Sequence, residues 1–251
     1  MFFGFYFGPY ATFFFILMIA CGIFAASASA KVHSAYKAYG AMPTASYMTG
    51  YDTASRLLRV NGVRDISVGK ARGFLTDHYH PTKKIVNLSE SVYGDTSVAA
   101  VAVAAHEIGH VMQKEKGYIP YKIRNFLVPI TNFGSRLALP LVLVGLILDG
   151  FVVATQNSNA GYYLAIAGVA LYGLSTLFAL VTLPVEFDAS RRAKKMLVQE
   201  GILTQEELPY ADKMLNAAAM TYVASLLTSL VYFLRFAVWV LVLFGGNRRR
   251  R

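Results

Sequence analysis

Four long apolar stretches set the pattern of the chain, with polar segments between them. Residues 2–30, 137–156, 162–184 and 217–246 are each predominantly apolar. About 20 such residues in a helix cross a hydrocarbon core, so each stretch is predicted to be a membrane span. The first also ends in Ala28-Ser29-Ala30, which resembles a signal-peptide cleavage site. Such peptides need a basic leader, and no Lys or Arg precedes Lys31, so an uncleaved anchor is expected. Asn157-Ser158-Asn159-Ala160-Gly161 joins the second stretch to the third, a link short enough to make them an antiparallel hairpin. The fourth stretch contains Arg235 and reads as one long tilted helix or as a buried helical start leading into a span. Asp149 is its one opposite charge within 137–183; the two either pair or snorkel separately to the head groups.

Residues 31–136 are the segment able to form a water-facing domain. Residues 52–60 read as a helix ending at Asn61-Gly62, and 74–79 and 84–88 as strands separated by the turn His80-Pro81-Thr82-Lys83. Thr96 or Ser97 then caps an alanine-rich helix predicted over 98–114.

Composition narrows the class. The 251 residues are 55% apolar and 15% charged, against about 25% charged in soluble chains. Cys21 is the lone cysteine, which excludes an internal disulfide framework or a cysteine-rich metal site. The net charge of +10 does not point to nucleic acid, because residues 1–30 and 137–183 hold no Lys or Arg while 31–136 hold 14 and 185–218 hold five. That asymmetry favours a cytoplasmic polar domain and an outward N-terminus. The four arginines at 248–251 oppose it unless the last stretch stops short of crossing.

The helix over 98–114 contains His106-Glu107-Ile108-Gly109-His110, an HExxH. Residues four apart stack on one helix face, so both imidazoles can reach one metal ion while Glu107, beside them, activates a water. With 5 His and 7 Glu in the chain, chance supplies about 0.003 such motifs. Zinc is the expected ion, one per chain, since it takes nitrogen ligands tetrahedrally and keeps one position open. A third protein ligand is required. The metzincin extension is excluded, because Gln113 and Lys116 occupy its Gly and His positions. Glu186, just after the third stretch, is the leading candidate, because two crossings return the chain to the side it left. Asp149 in Leu148-Asp149-Gly150 is the second, echoing the LDG of site-2 intramembrane proteases. It lies about 18 Å into its span at 1.5 Å per residue and needs the HExxH helix inside the bilayer. His78 and His80 rank behind both.

Several motifs occur together in order: Leu75-Thr76-Asp77-His78-Tyr79-His80-Pro81, Leu88-Ser89-Glu90, Ala104-Ala105-His106-Glu107-Ile108-Gly109-His110 and Leu183-Pro184-Val185-Glu186-Phe187-Asp188-Ala189-Ser190-Arg191. Leu215-Asn216-Ala217-Ala218-Ala219 and Thr221-Tyr222-Val223-Ala224 follow. Over nearly its whole length the chain resembles the YugP-type neutral zinc metallopeptidases of bacterial membranes, and more distantly the HtpX and prenyl-protein (CaaX) proteases. The resemblance implies Glu186 as third ligand, Glu107 as general base and an edge strand before the HExxH helix. The chain departs from those patterns at His80, where the YugP type has Asp, and at Ser190, where HtpX-like chains place a supporting Asp; that role does not transfer to Asp188.

The expected fold is a mostly α membrane protein with about four transmembrane helices and a small α+β zincin-like domain carrying the HExxH helix and a short β-hairpin. Its parts are an anchor (1–30), a catalytic domain (31–136), a transmembrane hairpin (137–184), a helical segment supplying the third ligand (185–216) and a last membrane helix with a basic tail (217–251). The expected function is a membrane zinc endopeptidase acting near the bilayer surface on peptides or membrane proteins. The alternatives are an intramembrane protease using Asp149, or a non-proteolytic assembly protein with a structural zinc. His78, Tyr79, Asn216 and Tyr222 are candidate oxyanion donors, though strand packing is the favoured role of His78 and Tyr79. An outer hairpin strand offers an edge for an extended peptide. Arg191, Arg192, Lys194 and Lys195 are read as a solvated helix face or an anionic-lipid contact.

Overall fold

The computed structural model describes residues 9–152 and 160–248. Its elements, in chain order, are α1 (Pro9–Tyr39), α2 (Gly50–Val60), β1 (Ser67–Ala71), β2 (His78–His80), β3 (Ile85–Ser89), α3 (Glu90–Tyr93), α4 (Val98–Glu115), α5 (Ile119–Val152), α6 (Ala160–Gln199) and α7 (Leu208–Arg248). Two compact units result. One comprises Met1–Ala25, Ile123–Thr182 and Val223–Arg251, the other Ala26–Lys122 and Leu183–Tyr222.

The first unit is helical and apolar on its outside. Among the described residues, Tyr10–Tyr39, Gly161–Gln199 and Leu208–Val242 are long and apolar enough to cross a membrane. Within α5, Ile119–Gly134 and Arg136–Gly145 meet at 43° and add a fourth crossing if they form one span. Pro140 accounts for the bend: it has no N–H to offer the carbonyl of Arg136 and its ring crowds that carbonyl. Phe13, Ile16, Phe133, Leu143 and Leu180 are exposed, as side chains facing lipid are. Helices α5 and α6 touch through glycines. A Cβ on Gly145 would lie 2.5 Å from the Gly161 carbonyl, and one on Gly168 would lie 2.6 Å from that of Ala138. These pairs run in opposite chain directions, so the two helices are antiparallel and close-packed on small residues. The 157–161 link falls mostly outside the described residues; Ala160 and Gly161 already belong to α6. Arg235 directs its guanidinium at the Met18 sulfur, 3.1 Å away, whereas the Asp149 side chain lies outside the described residues.

The second unit is the α+β part. Its sheet has the order β1-β3-β2, with β1 parallel and β2 antiparallel to β3. The expected hairpin forms with the register Tyr79↔Val86, but its first strand is His78–His80 and not 74–79, and β2 is an edge strand. Strand β1 was not expected, because Ser67-Val68-Gly69-Lys70-Ala71 lacks an apolar alternation and buries no complete face. It joins the sheet through its backbone, in the register Ser67↔Ile85 to Ala71↔Ser89, with Gly69 opposite Asn87.

Helix α4 runs through the middle of this unit. The Ser97 hydroxyl accepts from the Ala100 amide at 3.2 Å and starts it, as expected from its sequence. Ala99, Ala100, Ala102, Ala104 and Ala105 are fully buried, so the helix is enclosed on nearly every side. Alanine allows neighbouring elements close to it, and Leu57, Val86, Leu88, Val92, Leu197 and Ile202 complete the core around it. Two helices run on across the limits of the apolar stretches, and the single α7 matches the long-helix reading of the last one. Helix α6 passes straight through Pro184, and α7 is a single helix. Proline in a membrane helix costs one backbone hydrogen bond and is tolerated there.

Candidate metal centre

The HExxH residues occupy the C-terminal half of α4, where the buried alanine run gives way to a cleft. Their partner comes from α6, and one glycine decides how close it comes. A Cβ on Gly109 would lie 2.5 Å from the Ala189 carbonyl oxygen and 3.1 Å from its Cα, so the two backbones are in contact. Glu186 lies one turn before Ala189 on that surface, and its side chain faces the two imidazoles.

One donor atom from each of His106, His110 and Glu186 lies within 4.8 Å of the other two. Glu186 Oε2 is 3.2 Å from His106 Nε2 and 3.6 Å from His110 Nε2. The rings meet edge to face with centroids 4.7 Å apart. Tetrahedral zinc with bonds of about 2.0–2.1 Å requires donor separations of about 3.3 Å, so the residues fit such an ion in both spacing and donor type. Each ring's remaining nitrogen is also engaged: His106 Nδ1 with Ser190 Oγ at 3.1 Å, and His110 Nδ1 with Gln113 Oε1 at 3.0 Å. Outer partners of this kind orient metal-binding histidines.

Glu107 stands beside this group, buried. Loss of solvation pushes its carboxyl up to about 7; the Asp77 and Glu186 carboxylates add to the rise and His106 opposes it. Asp77 is itself raised by burial while accepting from the Ser89 amide at 2.7 Å and hydroxyl at 2.9 Å. A cavity of about 240 Å³ opens onto His106, Glu107 and Glu186. Leu75, Val103, Met214, Leu215, Ala218 and Ala219 form its apolar wall, and Ser29, Val32 and His33 of α1 and Tyr222 of α7 complete it.

Not every candidate from the sequence is gathered here. His78 is held within the hairpin, Nδ1 2.8 Å from the Thr76 carbonyl and Nε2 3.1 Å from Asn87 Nδ2. His80 accepts from the Lys83 amide across the turn. Neither belongs to the metal group, so both are set aside as ligands. Tyr79 packs beneath Lys114, whose ammonium is 5.9 Å from its ring, and burial pushes its phenol up to about 12. Asn216 donates to Asp212 at 2.9 Å. Of the four oxyanion candidates, Tyr222 lines the cavity. Asp149 falls among side chains outside the described residues. Of the basic cluster, Arg191 and Arg192 pair with Asp188, and Lys194 with Asp212.

Several residues of the site were not picked out from sequence: His33, Asp77, Gln113 and Ser190. Gln113 lies three residues after His110, and Ser190 four after Glu186, spacings that put each on the face of its neighbour. For His33 and Asp77 no local signal exists, because only the tertiary fold brings them to the cleft.

Residues 14–241 match the family described as "Putative neutral zinc metallopeptidase". The protein named "Putative membrane protease YugP" of Bacillus subtilis (strain 168) is 41% identical over 208 residues, covering 83% of this chain and 88% of that protein. No solved structure matches the chain. A match over most of its length, together with this identity, means that the chain belongs to that neutral zinc metallopeptidase family.

Proposed function

We propose that this protein is a membrane-anchored zinc endopeptidase that hydrolyses peptide bonds close to the bilayer surface. The observation that carries the reading is the convergence of His106 Nε2, His110 Nε2 and Glu186 Oε2 around one point beside buried Glu107. Glu186 supplies the third donor, the role that an intramembrane protease reading needs from Asp149. Zinc held by these residues would polarise the scissile carbonyl and make water a competent nucleophile near neutral pH.

The chain's own groups do the rest. Glu107, with a carboxyl raised to about 7 by burial, accepts a proton from the attacking water and passes it to the leaving amine. The free edge of β2 pairs with an extended substrate, as exposed strand edges do. The apolar cavity wall receives a side chain next to the scissile bond, and the Tyr222 hydroxyl is the favoured donor to the developing oxyanion.

Ser29, Val32 and His33 on the cavity wall follow the apolar run of α1 along the same helix. That placement supports membrane-protein segments or tethered peptides as substrates. The excess of Lys and Arg in 31–136 supports a cytoplasmic catalytic side in a multi-pass protein, with the last stretch stopping short of the far side so that the arginines at 248–251 stay with it. The lipid bilayer, not nucleic acid, is its other partner. Purified protein is expected to cleave an unstructured membrane-tethered peptide; Glu107→Gln is expected to keep the metal and lose cleavage. Cleavage by Glu107→Gln at the wild-type rate would overturn the assignment of Glu107 as general base; unchanged biological activity in Glu107→Gln would favour a structural zinc in a non-proteolytic protein.

A further inference from the structure

Gln113 is fully buried, one turn after His110 on α4. An apolar side chain of similar volume would fill that place without the cost of desolvating an amide, so its polar atoms have a task. Its Nε2 donates to the Val185 carbonyl at 2.7 Å and to Asp188 Oδ2 at 3.0 Å, while its Oε1 lies 3.0 Å from His110 Nδ1.

The chemistry of these partners fixes the amide's orientation. A carbonyl cannot donate, and Asp188, paired with Arg191 and with Arg192 at 2.6 Å, is an ionised acceptor. The amide nitrogen must therefore face Val185 and Asp188, and the oxygen must face His110. An acceptor at that point places the ring proton on Nδ1. His110 Nε2 is thereby left with its lone pair, 3.6 Å from Glu186 Oε2. His106 has no such lock, because the Ser190 hydroxyl opposite its Nδ1 can donate or accept. Gln113 also grips α6 on both sides of Glu186, at Val185 and at Asp188, so the same amide sets the spacing between two of the three donors.

Resting on the metal site proposed above, we propose that Gln113, held in orientation by Asp188, is a positioning residue: it selects the His110 tautomer that can bind metal and aims its ring at the Glu186 carboxylate. Arg191 and Arg192 act one step further out, by keeping Asp188 ionised and in place.

The test uses the full chain in detergent micelles, with zinc affinity read by competition against a chelating indicator and the melting temperature of the metal-free form read alongside. Gln113→Leu is expected to weaken zinc binding about 10- to 100-fold, the usual cost of losing an outer partner, with the metal-free melting temperature little changed. Gln113→Glu is expected to weaken it too, because it sets two carboxylates against each other. Gln113→Glu combined with Asp188→Asn is expected to recover part of the affinity, since the new amide at 188 donates to the carboxylate at 113 while the Val185 carbonyl stays without its donor. Wild-type affinity in Gln113→Leu overturns the proposal, as does a loss that follows an equal loss of metal-free stability. If Gln113→Leu does not fold, equal affinities in Gln113→Glu and the double variant overturn it. A wild-type chain that binds no zinc removes the metal site itself and this role with it.

Discussion

Replacing Gly109 by alanine tests how the metal centre is assembled. The added methyl would stand 2.5 Å from the Ala189 carbonyl oxygen, 3.0 Å from its carbon and 3.1 Å from its Cα, all backbone atoms with no rotamer to yield. Restoring ordinary contact of about 3.5 Å requires α4 and α6 to part by roughly 1 Å at that point. Overpacking of this kind costs about 1–3 kcal/mol, and alanine returns about 1 kcal/mol through helix propensity. The net destabilisation is therefore about 0–2 kcal/mol, and the protein should remain folded. The site is less forgiving, because the displacement acts on the 3.2 and 3.6 Å separations between Glu186 and the two imidazoles. A 1 Å misplacement at a reacting centre costs about 10²-fold in rate. Gly109→Ala is thus expected to give near-wild-type thermal unfolding, weakened zinc binding in a chelator competition, and cleavage reduced about a hundredfold. Wild-type zinc affinity and cleavage in a folded Gly109→Ala would refute the claim that this contact sets the site.

Other variants separate chemistry from structure. Glu107→Gln should retain zinc and lose about 10²- to 10⁴-fold in kcat, the range for removing a general base, measured by steady-state peptide cleavage and metal analysis on one sample. Ser97→Ala removes the side-chain bond to the Ala100 amide that starts α4; it should lower stability by about 1 kcal/mol in chemical unfolding and leave zinc affinity unchanged. Chelation should abolish cleavage and lower the melting temperature. Free zinc at a hundred times its Kd should restore about 2.7 kcal/mol, read as the shift between chelated and reloaded protein.

The sequence was most informative where one local rule governs the outcome. Ser97, the alanine run and His106 and His110 four apart specify α4 from cap to motif, because capping and helical spacing act within a few residues. The hairpin followed from its turn. Tertiary pairing was less legible. β1 is a strand because β3 offers it a backbone edge to pair with, a property of its neighbour and not of its own pattern. The apolar stretch ends at 184, yet α6 continues beyond it and carries Glu186 on the same helix. The link from Gln113 to Val185 and Asp188 spans 72 and 75 residues of chain. No local rule reaches that far, so the side chains supporting the metal ligands emerged only from the packing of α4 on α6. The departure at Ser190 resolves in the same way: its hydroxyl meets His106, while Asp188 reaches His110 through Gln113.

The central claim is that His106, His110 and Glu186 together hold one zinc ion. X-ray absorption at the zinc edge on purified protein, compared with Glu186→Gln, tests it most directly. The account predicts one zinc per chain with two imidazole nitrogens and a carboxylate oxygen at about 2.0–2.1 Å, and loss of the oxygen ligand with much weaker binding in the variant. An identical zinc environment in Glu186→Gln, or a fitted shell without two imidazoles, would contradict it.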